Sequence, residues 1–350
     1  MQSPDQFRKS SRQLGLALSS PITVELEVTS KCNNFCQFCY NVWEKSTSSQ
    51  GANMKAILEK LIEADVKMLF FTGGEPFLRK DLFDLVEIAS NCGMRTSVVT
   101  NGTLLTEEKA QHLKTLKTSV QVSLHGTEPT HDTLVGAPGA YARTWEGLQY
   151  LKNANVPTNI NMALTRQNFQ ELPHVGEVAA SLGAHLSMTR LVLTGPHVNK
   201  NLQFTQSTIS DVMEFLVHQK KVKTASIQSP FPICCLGKEG IPTMLKIYDT
   251  FDVVGCQGGI TWCAVSPQGA VRTCGAMNKE EGDLKHKDLK TIWAQSEFIK
   301  KCRTCSHIPE HCLNCEYLSV CTGGCRADAY AASQDPTNPD PLAVMAIQKE

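Results

Sequence analysis

The 350-residue chain carries 34 basic and 34 acidic side chains, a formal net charge of zero, and is 41% apolar. That balance excludes the electrostatic footprint of a nucleic-acid binder or of a protein drawn to anionic membranes. No stretch approaches the ~18 consecutive apolar residues of a membrane span, and the first twenty residues lack the apolar core of an export signal. A soluble cytoplasmic protein is expected, long enough for one large barrel-like domain or two smaller ones.

From Ile22 to about residue 195, short β-branched or apolar runs alternate with amphipathic stretches, the rhythm of repeated βα units. Strands are expected at 22–28, 67–72, 95–100, 119–124, 157–164 and 185–193, and helices at 53–65, 81–91, 107–116, 141–154 and 169–182. Thr106 followed by Glu107 and Glu108 marks one helix start. The pattern predicts an α/β fold with a parallel sheet, either curled into a partial barrel or open and doubly wound. Both arrangements place their sites at the C-terminal strand ends. The run SKCNNFCQFCY follows the first strand, GGEP (73–76) the second, TNG (100–102) the third and SLHG (123–126) the fourth. Four motifs are therefore expected to converge on one site.

Cys32, Cys36 and Cys39, spaced C-x3-C-x2-C, supply three thiolates to a cluster that wants four, which leaves one iron open for chemistry. At this spacing alone, a zinc site with a remote fourth ligand is the alternative. Fifteen cysteines, an odd number in a long chain without an export signal, point to metal rather than disulfides. Cys92 stands alone before Gly93 and is expected to be a buried small hydrophobe, while the other eleven fall between Cys234 and Cys325. The Gly- and Cys-rich stretch 256–343 reads as a small domain held together by metal, with a pair of zinc sites as the alternative. The expected segments are an N-terminal extension (1–21), a barrel (22–205), a bridging region (206–255), a small Cys-rich α+β domain (256–343) and a tail (344–350). Adjacent side chains diverge, so Cys234 and Cys235 in FPICCLG are not both expected on one metal, and a substrate contact or redox role stays open for them.

With Phe38 in the aromatic place of C-x3-C-x-φ-C, the chain resembles radical S-adenosylmethionine (SAM) enzymes, and the likeness covers nearly the whole length. The resemblance implies a partial (β/α)6 barrel and a [4Fe–4S] cluster on Cys32, Cys36 and Cys39, with SAM chelating its open iron. Gly73, Gly74, Glu75 and Pro76 match the family's GGEP, which receives the amino group of SAM. Ser123, in the S-L-x-G element, and Arg143, in YARTWEGL, match positions that bind its ribose or carboxylate end. Reductive cleavage of SAM then yields a 5′-deoxyadenosyl radical that abstracts a substrate hydrogen. Further on, Cys256, Cys263, Gly269 and Cys274, then Cys312, Cys315, Cys321 and Cys325 in C-x2-C-x5-C-x3-C, resemble a SPASM domain with two auxiliary [4Fe–4S] clusters. CTGGCRADAYAA followed by DPTNPDPL matches its usual ending. On that likeness Cys256, Cys263, Cys274 and Cys325 hold the first auxiliary cluster, and Cys312, Cys315 and Cys321 supply three ligands to the second. The usual fourth cysteine falls at Ala343. A substitute from the extra pair Cys302 and Cys305, assigned to Cys305, is expected, with Asp340 as an oxygen alternative.

The resemblance implies hydrogen abstraction from a peptide or protein, with flavodoxin or ferredoxin as electron donor. The first strand starts near residue 22, leaving no room for a precursor-binding domain, so a leader is expected on a separate protein or on the barrel surface. Tetrapyrrole side-chain modification is the alternative chemistry. A non-catalytic iron–sulfur carrier is the third reading, against which an intact SAM pocket argues. No general base is named. His125 stands where the family usually has Asp, His131 and Asp132 are as readily loop-fixing as catalytic, and Tyr40 is expected to pack around the cluster.

Overall fold

The computed structural model describes residues 2–41, 53–219 and 225–343, so the expected tail at 344–350 lies outside the described residues. Six parallel strands follow the expected rhythm: β1 (Thr23–Thr29), β2 (Met68–Gly73), β3 (Arg95–Thr100), β4 (Ser119–Ser123), β5 (Thr158–Leu164) and β6 (His185–Arg190). Each pairs with the next in chain order, and the sheet does not close. Ahead of them lies α1 (Pro4–Ala17), and between them run α2 (Met54–Glu63), α3 (Leu82–Asn91), α4 (Glu107–Thr115), α5 (Glu128–Val135), α6 (Ala140–Asn153) and α7 (Leu172–Leu182).

The strand-facing stripes explain the layers. In β1, Val24, Leu26 and Val28 are fully buried against the helical layer, joined by Ile57, Leu58 and Leu61 of α2 at helical spacing. Each such leucine stabilises the layer by about 1.5–3 kcal/mol. Glu25 and Glu27 alternate onto the opposite face, where Arg272 meets Glu27 at 2.6 Å in a buried ion pair.

The sheet runs on at both edges. Short strands β7 (Ser226–Ile227) and β8 (Asp252–Val253) continue past β6. On the other side β9 (Trp262–Val265) pairs in parallel with β1, followed by the antiparallel strands β10 (Ala270–Arg272) and β11 (Glu280–Asp283). The Cys-rich stretch is thus built onto the edge of the same sheet. No helix among the described residues is long and apolar enough to cross a membrane.

The first residues are also structured. Ser3 and Gln6 form a capping box at the start of α1, which packs on the Cys-rich stretch: Arg303 donates to the Gly15 and Leu18 carbonyls at 2.7 Å each.

Candidate functional site

The four motifs meet at the C-terminal ends of β1 to β4, with the cysteine loop as their common neighbour. After β1 the chain turns through Cys32, Cys36 and Cys39, all partly buried. Gly74 donates to the Thr29 carbonyl and Glu75 to that of Lys31, each at 2.7 Å. A Cβ on Gly74 would fall 2.0 Å from the Lys31 oxygen, and one on Gly73 (φ +119°) 2.4 Å from that of Thr29. Both glycines are therefore required by the approach of the cysteine loop itself, a cause closer at hand than the approach of a ligand.

Asn101, in the loop after β3, donates to Asn33 Oδ1 at 2.8 Å, and Asn33 Nδ2 donates to Thr103 Oγ1 at 2.8 Å. The backbone N–H groups of Phe35 and Gln37 reach the carbonyls of Val135 and Leu134 at the end of α5. Phe38 lies edge-on to His125, ring centroids 4.5 Å apart, and Asn199 beyond β6 donates to the Gln37 carbonyl at 2.7 Å. One short loop is thus pinned from five directions.

Glu75 is the hub. It is fully buried, and its carboxylate accepts from Thr100 Oγ1 (2.8 Å), the Asn101 N–H (2.8 Å) and the Phe77 N–H (3.1 Å). Burial pushes its pKa up, and these donors hold it back. A carboxylate has about four acceptor sites, so one remains for an ammonium. Pro76 starts a short 3-10 turn, Pro76–Leu78. Ser123 ends β4, half-buried, and Arg143 lies exposed on α6, donating to the Pro138 carbonyl at 3.2 Å.

Behind Phe38 the rings of His125, His131, Tyr141 and His174 follow one another at 5.5, 6.0 and 6.2 Å. His131 Nδ1 accepts from the His125 N–H at 3.2 Å, which leaves its proton on a buried Nε2 with no partner among the described residues. Burial lowers the pKa of His125 well below the usual imidazole range and that of His131 to about 4. Asp132 accepts the Gly139 and Tyr141 N–H groups at the start of α6, so it fixes the loop.

Among the described residues no three His, Cys, Asp or Glu side chains converge tightly enough for a single metal ion. The C-terminal thiols instead fall into two looser sets. Cys256 lies within electrostatic range of Cys274, Cys302 and Cys325. Cys302 also touches the 256–260 loop, where a Cβ on Gly259 would fall 2.9 Å from its Sγ. Cys263, expected in this set, is fully buried in β9 beside Val24, in the sheet–helix core. Cys312, Cys315 and Cys321 form the second set. Cys305, expected to complete it, lies under α1, its thiol 3.9 Å from the Arg8 carbonyl and near Arg12. Asp340 is engaged elsewhere: it pairs with buried Arg190 at 2.6 Å and accepts the Cys325 and Leu342 N–H groups. Cys92, expected inside, is exposed at the end of α3. Tyr40 lies beside Gly275, next to Cys274.

Sequence reasoning missed Glu25. Its carboxylate accepts the Gly275 N–H at 2.8 Å, and burial raises its pKa, which places a protonatable group between the N-terminal cysteine loop and Cys274. Charged residues on a buried face of β1 were the available signal.

Residues 26–179 match the family model of the radical SAM superfamily. The chain carries a radical SAM domain. Enzymes of this superfamily work with a [4Fe–4S] cluster and SAM. The residues present fit that pair, with three thiols on one braced loop and a buried carboxylate beside it. The chain is 28% identical to an AdoMet-dependent heme synthase of Methanosarcina barkeri over 93% of its own length and 97% of that protein's. It is equally 28% identical to a PqqA peptide cyclase of Bradyrhizobium diazoefficiens, over 93% and 86% of the two chains. In fold it is similar to Streptococcus suis SuiB bound to precursor peptide SuiA, with a TM-score of 0.74, 16% identity and coverage of 96% of this chain and 79% of that one.

Proposed function

We propose that this radical SAM enzyme abstracts a hydrogen atom from a peptide or protein substrate. The observation that carries the site assignment is the bracing of the cysteine loop by the ends of β2, β3 and β4, with Glu75 at the centre. Cys32, Cys36 and Cys39 would hold the cluster, with Phe38 packed behind it. Gly73, Gly74, Glu75 and Pro76 would position the amino group of SAM, and Ser123 and Arg143 its ribose or carboxylate end. When bound, the reduced cluster supplies the electron that cleaves SAM to methionine and a 5′-deoxyadenosyl radical. The chain's own part is to orient and shield. Glu75 keeps the loop after β3 in register, and the aromatic file behind Phe38 keeps water from that side.

The C-terminal thiols would hold two auxiliary [4Fe–4S] clusters, the first on Cys256, Cys274, Cys325 and Cys302 and the second on Cys312, Cys315 and Cys321. An electron donor of the flavodoxin or ferredoxin kind would serve them. The peptide reading rests on the likeness to PqqA peptide cyclases and to SuiB with its precursor peptide. Modification of tetrapyrrole side chains is the second reading, favoured by the heme synthase relatives.

Replacing Cys32, Cys36 and Cys39 with alanine is expected to abolish formation of 5′-deoxyadenosine while C-terminal iron remains; cleavage at the parent rate would refute the assignment. For the substrate, anaerobic turnover with candidate peptides and with haem precursors separates the readings. Peptide-dependent 5′-deoxyadenosine supports the first, and a bound porphyrin absorbance band with precursor-dependent turnover supports the second.

A further inference from the structure

The second C-terminal thiol set has three cysteines in the family-like pattern, and Ala343, where a fourth is expected, offers no donor atom. The structure brings another cysteine to it from outside the Cys-rich stretch. Cys234 stands on the short turn Ile233–Leu236, between β7 and α9 (the latter Ile241–Thr250, after α8, Gln206–Val217). It lies within electrostatic range of Cys321 and Cys315, and Cys312 within range of Cys321, Cys234 and Cys315. Ile233, on the same turn, and Cys321 are both buried in the main hydrophobic core.

The rivals are placed elsewhere. Cys235 turns the other way, its thiol 3.6 Å from Met244 Sδ in the main core. Cys305 lies beneath α1 with Phe7, Ile308 and Leu318, a cluster on which Cys312 also packs, but its thiol is turned to the Arg8 carbonyl at 3.9 Å. Both oxygens of Asp340 are taken by Arg190, the Cys325 N–H and the Leu342 N–H. His311 Nε2 lies 3.3 Å from the Cys312 thiol, so it is a neighbour of one ligand.

We propose that Cys234 is the fourth thiolate of the set formed by Cys312, Cys315 and Cys321, closing a [4Fe–4S] cluster that would otherwise keep an open iron. The inference rests on the reading that this set holds a cluster. Its consequence is functional: a cluster with four thiolates exchanges electrons and does not bind substrate, which assigns this site to electron relay. It also ties the bridging segment to the Cys-rich stretch by a bond to metal.

The test uses the full chain, reconstituted anaerobically with iron and sulfide in the Cys32/Cys36/Cys39→Ala background, which leaves the C-terminal clusters alone. Two of these carry about eight irons per chain. Cys234→Ala is expected to lose up to about four, or to convert one cluster to a [3Fe–4S] form visible by electron paramagnetic resonance. Cys235→Ala and Cys305→Ala are expected to keep the parent iron content and spectrum. An unchanged spectrum in Cys234→Ala, with iron loss in Cys305→Ala instead, would overturn the proposal. If Cys312→Ala and Cys315→Ala lose no iron either, it is the underlying reading of a cluster at this set that fails. A measurement without substitution covers the case in which Cys234→Ala misfolds. In the intact holoprotein Cys234 is expected to resist alkylation until iron is removed by a chelator, and equal labelling before and after removal would refute its ligation.

Discussion

Around β1 to β3 the strands are clamped by apolar helices, whereas from β6 to residue 343 buried charges are added to the apolar core. In the first region Leu58, Leu61, Leu69, Phe71 and Leu85 are fully buried and pack in one continuous core. In the second, Arg190 at the end of β6 reaches Asp328 at 2.9 Å and Asp340 at 2.6 Å, with the guanidinium and Asp340 wholly buried. The two therefore behave differently toward substitution. Apolar packing degrades by degrees, while a buried ion network fails when one member is removed.

The largest expected effect follows from that network. Arg190→Met leaves two carboxylates buried without a counter-charge, and breaking a buried pair from one side costs about 3–5 kcal/mol. Denaturant unfolding of the anaerobic protein should show this loss, and Asp328→Asn with Arg190→Met should recover part of it. A loss no larger than that of a core Leu→Met change would show that the ion network is not what joins β6 to the C-terminal stretch.

A pH experiment probes the boundary between the regions. His131 is neutral in the fold, its pKa lowered to about 4 by burial, against an ordinary value near 6.5. The unfolded chain therefore binds a proton that the folded chain does not as pH falls below 6.5, so stability is lost in that direction. Between pH 6.5 and 5 the parent protein should lose about 1.6 kcal/mol that His131→Gln does not lose. Parallel pH profiles of the two proteins would contradict the burial argument.

Strands and helices governed by periodicity were legible in the sequence. β3 spans the expected residues, and α2, α3 and α4 start and stop within two residues of expectation. The expected strand at 185–193 ends early, at Arg190, because the Leu193 N–H is drawn out of the ladder to the Asp328 carboxylate at 2.9 Å. That partner lies far along the chain and leaves no local mark. α5 was missed because its buried positions, His131, Leu134 and Val135, make too narrow a stripe, and α1 because its stripe is weak, although Ser3, Pro4 and Gln6 spell a start signal. For the site, residues after one strand end could be expected to meet those after the next. Which cysteines lie together could not, since Cys305, near Cys312 in sequence, is turned under α1, while Cys234, far from it in sequence, is brought within electrostatic range of it by the fold.

A smaller effect tests whether polar wiring also matters in the apolar half. Glu75→Gln replaces one acceptor oxygen by an NH2 that must face either the Asn101 or the Phe77 N–H, stranding a buried donor. The expected cost is about 1.5 kcal/mol, with weakened SAM binding by calorimetry. Unchanged stability and affinity would show that the hub is dispensable.

The smallest expected effect concerns α1, which lies on the Cys-rich stretch although it comes first in the chain. Arg303 holds its C-terminal end by bonds to the Gly15 and Leu18 carbonyls, and Gly15 admits the contact because a Cβ there would fall 2.6 Å from the Arg303 oxygen. Arg303→Ala should cost about 1 kcal/mol globally, since the guanidinium is only partly buried and water can replace it. The local effect should be larger than the global one: faster hydrogen exchange over residues 4–17 and faster alkylation of Cys305, which α1 covers. Iron content should stay at the parent level, because Cys305 lies in neither thiol set. Iron loss accompanying exposure of Cys305 would mean that this cysteine, and not the charge and thiol network beside it, holds the C-terminal stretch in place.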